Sequence, residues 1–194
     1  MSLQLQQKLR GLLLKVSRPL SLLISKIHSP YSRKLLHANH ARSLLTWAQP
    51  GDIFLTRTRG ELSNLFIPGK WTHGALFISK DLGVIEAALD GVRRTDIYDF
   101  VMTKDELILL RPIFCFEQDR RNAADWAVGQ LGKKYDFSFS SSNNEFYCFE
   151  LVSYAYINTM KNCPWQLRER LGEPTIIGDD FIKASKKFTS LIQY

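Results

Sequence analysis

The apolar positions of the chain fall into stretches of different period. Leu3, Leu5, Leu9, Leu12, Leu13 and Val16, then Leu20, Leu23, Ile24 and Ile27, recur at helical spacings with Lys8, Arg10, Lys15, Arg18 and Lys26 between them. This predicts amphipathic helices broken at Pro19. After Pro50 and Gly51 the period shortens. Segments 52–57, 73–79, 83–89 and 106–111 are brief and rich in Ile, Leu, Val and Phe, and read as strands, with Asp81, Leu82 and Gly83 as the turn between two of them. Helical spacing returns over 119–131, where Ala123, Trp126, Ala127 and Gln130 or Leu131 align and Gly132 supplies a stop. It returns again over 148–160, through Leu151, Val152, Ala155 and Tyr156, and over 179–187, capped by Asp179 or Asp180. A helical arm, a β-rich middle and then helices predict an α+β protein whose antiparallel sheet is covered by helices. The arm spans residues 1–48 and a single domain spans 49–194.

Length and composition agree with one packed core, since 194 residues with 45% hydrophobic content bury enough surface to offset chain entropy. The net charge of +7 changes the picture only when mapped. Residues 1–51 hold eight Lys or Arg and no acid, while the rest holds eighteen basic against nineteen acidic residues. The basicity belongs to the arm. Its apolar uncharged run, 19–25, is far short of the roughly 20 apolar residues that span a bilayer. Lys15 and Arg18 interrupt any secretory apolar region, and no Ala-x-Ala site follows, so the arm is expected to be retained.

Two partners suit such an arm: an anionic membrane surface, through residues 1–45, or the arm's own domain. Nucleic acid does not suit it, because stacking aromatics are not interleaved with its charges. Three cysteines, Cys115, Cys148 and Cys163, show no paired spacing and argue for a reducing, cytoplasmic setting, with the arm peripheral to the inner membrane face. There is no CxxC or HExxH, and three of the four histidines lie in the arm, so neither a metal site nor a cofactor is expected.

The candidate chemistry starts at Cys148. A thiol at a helix N-terminus has its anion stabilised by free backbone N–H groups and the helix dipole. Cys115 and Cys163 lack that placement. A cysteine nucleophile needs a base to take and return its proton, and His73 is the histidine outside the arm, followed by Gly74, which leaves room beside the ring. A third group must orient the imidazole, and Glu86, a carboxylate among apolar neighbours on a strand paired with that of His73, is the candidate. Taken singly, a cysteine at a helix start is more often packing than catalytic, and the same holds for a strand histidine.

The segments Gly51-Asp52-Ile53-Phe54-Leu55, Trp71-Thr72-His73-Gly74-Ala75-Leu76, Val84-Ile85-Glu86-Ala87, Gly132-Lys133-Lys134-Tyr135-Asp136-Phe137 and Tyr147-Cys148-Phe149-Glu150-Leu151-Val152 together resemble the YiiX-type branch of the circularly permuted, NlpC-like papain-like cysteine enzymes. The likeness covers about residues 50–160. The permuted branch carries His before Cys, as His73, Glu86 and Cys148 do here. The resemblance implies a permuted papain-like domain and a Cys148, His73, Glu86 triad, with Trp71, Tyr135 and Tyr147 lining a substrate cleft. It implies amide or peptide hydrolysis through a thioester, or else transfer of lipid acyl groups as in relatives of lecithin:retinol acyltransferase. A non-catalytic, membrane-attached binding module is the alternative of a different class. Phe149 departs from the small residue usual after the family's cysteine and places bulk beside the expected acyl pocket. Glu150, in the first helical turn, also suits an N-terminal capping role.

Overall fold

The computed structural model describes residues 35–59, 67, 69–137, 144–160, 165, 167–170, 173–184 and 188–194. In chain order the elements are α1 (Ala38–Trp47), β1 (Ile53–Arg57), β2 (His73–Ser79), β3 (Gly83–Ala88), β4 (Gly91–Thr95), α2 (Ile97–Met102), β5 (Glu106–Pro112), α3 (Glu117–Val128), α4 (Cys148–Ile157), β6 (Arg168–Arg170), β7 (Glu173–Thr175), α5 (Gly178–Lys183) and β8 (Phe188–Gln193). Six strands form one antiparallel sheet of order β4-β3-β2-β1-β5-β8, and β6 pairs with β7.

The central strands read as nearly continuous apolar runs because both faces of the sheet are covered. Ile53, Leu55, Leu76, Ile78 and Ile85 point into one core with Ala123, Ala127, Leu151, Val152 and Tyr156 of α3 and α4. Phe54, Ala75, Phe77, Val84 and Leu109 point the other way, onto Ala41 and Leu44 of α1 and Ile97, Phe100 and Val101 of α2. The fold is therefore α+β, with helices on both faces of an antiparallel sheet, as the alternation of elements predicts.

The last part of the segment expected to be an arm contributes to this core: Leu36, Ala41, Leu44 and Ala48 are buried, and the Leu36 N–H donates to the Lys104 carbonyl. The amphipathic repeats at residues 1–34, the break at Pro19 and Cys163 lie outside the described residues. Helix α3 ends at Val128, earlier than Gly132. Gly132 instead adopts φ +81 and its N–H donates to the Val92 carbonyl, so the turn serves the outer edge of β4. Helix α4 stops at Ile157, and α5 covers Gly178–Lys183. A buried ion pair locks the entry to the sheet. Asp52 is fully buried, and Arg111 on β5 donates to it through Nε at 2.9 Å and Nη2 at 2.6 Å. The Tyr156 hydroxyl of α4 donates to the Gly51 carbonyl beside it.

Candidate active site

Cys148 is the first residue of α4 and is 2% exposed. Its helix is anchored just before the thiol, because the Glu150 carboxylate accepts the Tyr147 N–H at 3.4 Å. Glu150 thus acts at the helix N-terminus, where a carboxylate is favoured by the dipole. His73 is the first residue of β2, and register pairs it with Thr56. By strand alternation its side chain shares the α2 face with Ala75 and Phe77, and its ring lies 6.2 Å from that of Phe100. Helix α4 packs on the opposite face, where Phe149 and Val152 meet Gly74. The thiol and the imidazole come from different layers and meet where β2 and α4 both begin.

Glu86 on β3 is 3% exposed and reaches His73 Nε2 through Oε2 at 2.6 Å. That contact leaves Nδ1 as the ring nitrogen available to the thiol. Burial alone pushes the His73 pKa down, but the Cys148 thiol and then the Glu86 carboxylate outweigh it and raise it to about 9, against opposition from Lys104. Burial likewise pushes the Glu86 carboxyl up, and His73, Lys104 and Thr95 overcome this and hold it well below the usual carboxylate range. The two shifts describe one arrangement, an imidazolium held between a carboxylate and a sulfur.

Cys115 lacks these features. Its thiol is pushed up to about 11 by burial, against an opposing pull from Arg120, and no histidine acts on it.

The three aromatics expected to line a cleft divide. Tyr147 is buried, with its hydroxyl accepting the Ile176 N–H at 2.9 Å and donating to the Ile176 carbonyl at 3.2 Å, so it ties α4 to the segment before α5. Trp71 is also buried, and its N–H, like that of Lys70, donates to Asp179 Oδ1. Tyr135 is half-buried, and its phenol is held well above its ordinary pKa by burial and by the nearby Cys148, Asp136 and Tyr147.

Two sequence expectations need correction here. The room at Gly74 is filled by Phe149, since a Cβ on Gly74 would lie 2.8 Å from Phe149 Cδ1. Phe149 is 1% exposed and points into the core between Gly74 and Gly178, so its bulk does not enter an acyl pocket. Of the two acids expected at the start of α5, Asp180 accepts the Ile177 N–H, while Asp179 grips the backbone that leads into His73. Three groups escaped the sequence reading, namely Arg93, Thr95 and Lys104. The signal available was the run Arg93-Arg94-Thr95 directly after a Gly-Val start, polar residues in a strand beside a buried carboxylate.

Comparison with known proteins agrees with this fold. The profile of the permuted papain-like amidase enzymes of the YaeF/YiiX type, peptidase family C92, matches residues 47–191. Among solved structures the chain is similar to the metalloprotein YiiX from Escherichia coli O157:H7, with a TM-score of 0.61 and 21% identity, covering 75% of this chain and 97% of that one. That protein is described as a metalloprotein, whereas among the described residues here no group of three or more His, Cys, Asp or Glu side chains is arranged to hold a metal ion. No curated protein sequence matches the chain significantly. With the profile spanning α4 and the sheet from β1 into β8, the chain belongs to the permuted papain-like amidase family.

Proposed function

We propose that this family member is a cysteine-dependent amidase or peptidase in which Cys148 is the nucleophile, His73 the base and Glu86 the orienting carboxylate. The observation that carries the proposal is the His73 ring, fixed by Glu86 at 2.6 Å and raised to about 9 by the thiol at the start of α4. The Cys148 sulfur attacks the substrate carbonyl carbon, and the electron pair moves onto oxygen. The Cys148 N–H stands at the first position of α4, where no helical carbonyl can reach it, and it donates to that oxyanion. Collapse breaks the C–N bond, and the His73 imidazolium gives its proton to the leaving amine. Water then attacks the thioester carbonyl, His73 takes its proton, and the C–S bond breaks to release the acid. Tyr135 is the aromatic side chain left to contact substrate.

A second reading, transfer or hydrolysis of lipid acyl groups by a cytoplasmic protein peripheral to the inner membrane face, is supported by the composition of residues 1–34, which hold seven Lys or Arg and no acid. Leu36 is bonded to Lys104, whose charge is felt at His73 and Glu86. Amide hydrolysis stands first because the family profile describes amidases.

The reading is tested by incubating the full chain with a panel of acyl amides, peptides and lipid esters and mapping acyl adducts by mass spectrometry. An acyl group carried on Cys148 supports it. Turnover that persists in Cys148→Ser contradicts it.

A further inference from the structure

The two oxygens of Glu86 have divided duties. Oε2 meets His73, while Oε1 accepts from Thr95 Oγ1 at 2.6 Å and from Arg93 Nε and Nη2, each at 3.1 Å. Both donors come from β4, where Arg93 is the cross-strand partner of Glu86 and Thr95, two residues on, shares its face. Arg93 is steadied in turn by Asp90, which accepts from Nη1 at 2.8 Å. On its far side β4 is pinned as well: the Val92 N–H donates to the Lys133 carbonyl at 2.8 Å and the Gly132 N–H donates to the Val92 carbonyl at 2.9 Å. Gly91 lies close against that neighbour, since a Cβ there would sit 2.6 Å from the Lys133 carbonyl oxygen. An edge strand is thus held from both sides at the place where it touches the carboxylate.

We infer that Thr95 and Arg93 are positioning residues, which lock Glu86 in the one orientation that aims Oε2 at His73 Nε2 and leaves Nδ1 to the thiol. The inference rests on the triad reading above. A carboxylate bound at one oxygen only can swing about its terminal torsion and offer either oxygen to histidine or water. With three donors on Oε1 that freedom is gone, and hydrogen bonds to a charged acceptor are the strong kind.

The other groups facing this centre are Lys104, after α2, which acts on both His73 and Glu86, Cys148 from α4, and Tyr135, which is influenced by Cys148. The hydrogen bonds from Thr95 and Arg93 hold Oε1 from the side of β4. Loss of the Thr95 hydroxyl lets Glu86 loosen its hold on His73, and the imidazolium loses support without any change in net charge.

The test is an NMR titration of the four histidine rings of the full chain, with the His73 signal assigned by its absence in His73→Gln, alongside the rate of Cys148 alkylation by iodoacetamide at pH 7. Thr95→Val keeps the β-branched shape that suits a strand. It is expected to lower the His73 midpoint by about one pH unit, the size of one lost hydrogen bond to a charged group, and to slow alkylation about tenfold. Thr95→Ser restores both. Arg93→Lys, which keeps the charge but cannot fork onto Glu86 and Asp90 together, lowers the midpoint less than Thr95→Val plus Arg93→Lys combined. A midpoint that falls in Cys148→Ser but stays at the wild-type value in Thr95→Val overturns the inference and leaves the triad standing. A wild-type midpoint indifferent to Cys148→Ser removes the thiol and imidazole pair itself, and the inference with it.

Discussion

His73 carries the account at the scale of single residues. Its pKa of about 9 means that the folded state holds a proton that the unfolded chain releases near 6.5. The stabilisation from the charged ring is complete below about pH 6.5 and is lost as pH rises towards 9. Glu86 works in the opposite sense: depressed below its ordinary value of 4.5, it stabilises above that pH and loses its contribution as pH falls further. Thermal melts of wild type should therefore decline from pH 6.5 to 9, and His73→Gln should flatten that decline. A parallel decline in both proteins would show that the ring does not hold its proton in the folded state. The pair itself was legible in the sequence for a simple reason: one histidine stands outside the arm, and a helix pattern begins at Cys148. What the sequence could not show was which face each side chain uses, because the meeting of two layers at the start of β2 is a tertiary fact.

Among the elements, α4 against β2 sets the reactive geometry. The Phe149 ring is accommodated by two glycines, with Gly178 as close as Gly74: a Cβ on Gly178 would lie 2.9 Å from Phe149 Cζ and 2.6 Å from Trp71 Cβ. Gly74→Ala should overpack this contact and destabilise the protein by about 1–3 kcal/mol. Phe149→Leu in the same chain should recover part of the loss, because the two sites share one space. Additive melting temperatures in the double variant would contradict the packing described. The central strands were legible because burial on both faces writes them as apolar runs. Strand β4 was not, since Val92 is its one large apolar residue and Arg93 and Thr95 serve Glu86 in its place. Helix α2 is six residues long, too short for a period to show, and β6 and β7 have three residues each.

For the whole molecule, the point of interest is where the charge sits relative to the site. Seven Lys or Arg and no acid precede Leu35, and the Leu36 N–H that follows donates to the carbonyl of Lys104, whose charge acts on His73. The expected boundary at residue 48 falls inside packed structure, because α1 already covers the sheet through Ala41 and Leu44. Among the described residues no helix is long and apolar enough to cross a membrane. Deletion of residues 1–34, which spares α1, should weaken binding to anionic phosphatidylserine vesicles while leaving the melting temperature near that of the full chain. Vesicle binding that survives the deletion would exclude the membrane role of the arm. The decisive question remains whether the folded chain assembles an activated thiol. The most direct measurement is intact-mass and peptide mapping of the full chain with an acyl-type cysteine probe, in wild type, His73→Ala and Cys148→Ser. The account predicts selective acylation of Cys148 that collapses in His73→Ala, with Cys115 unlabelled. Equal labelling of the cysteines, indifferent to His73, would contradict it.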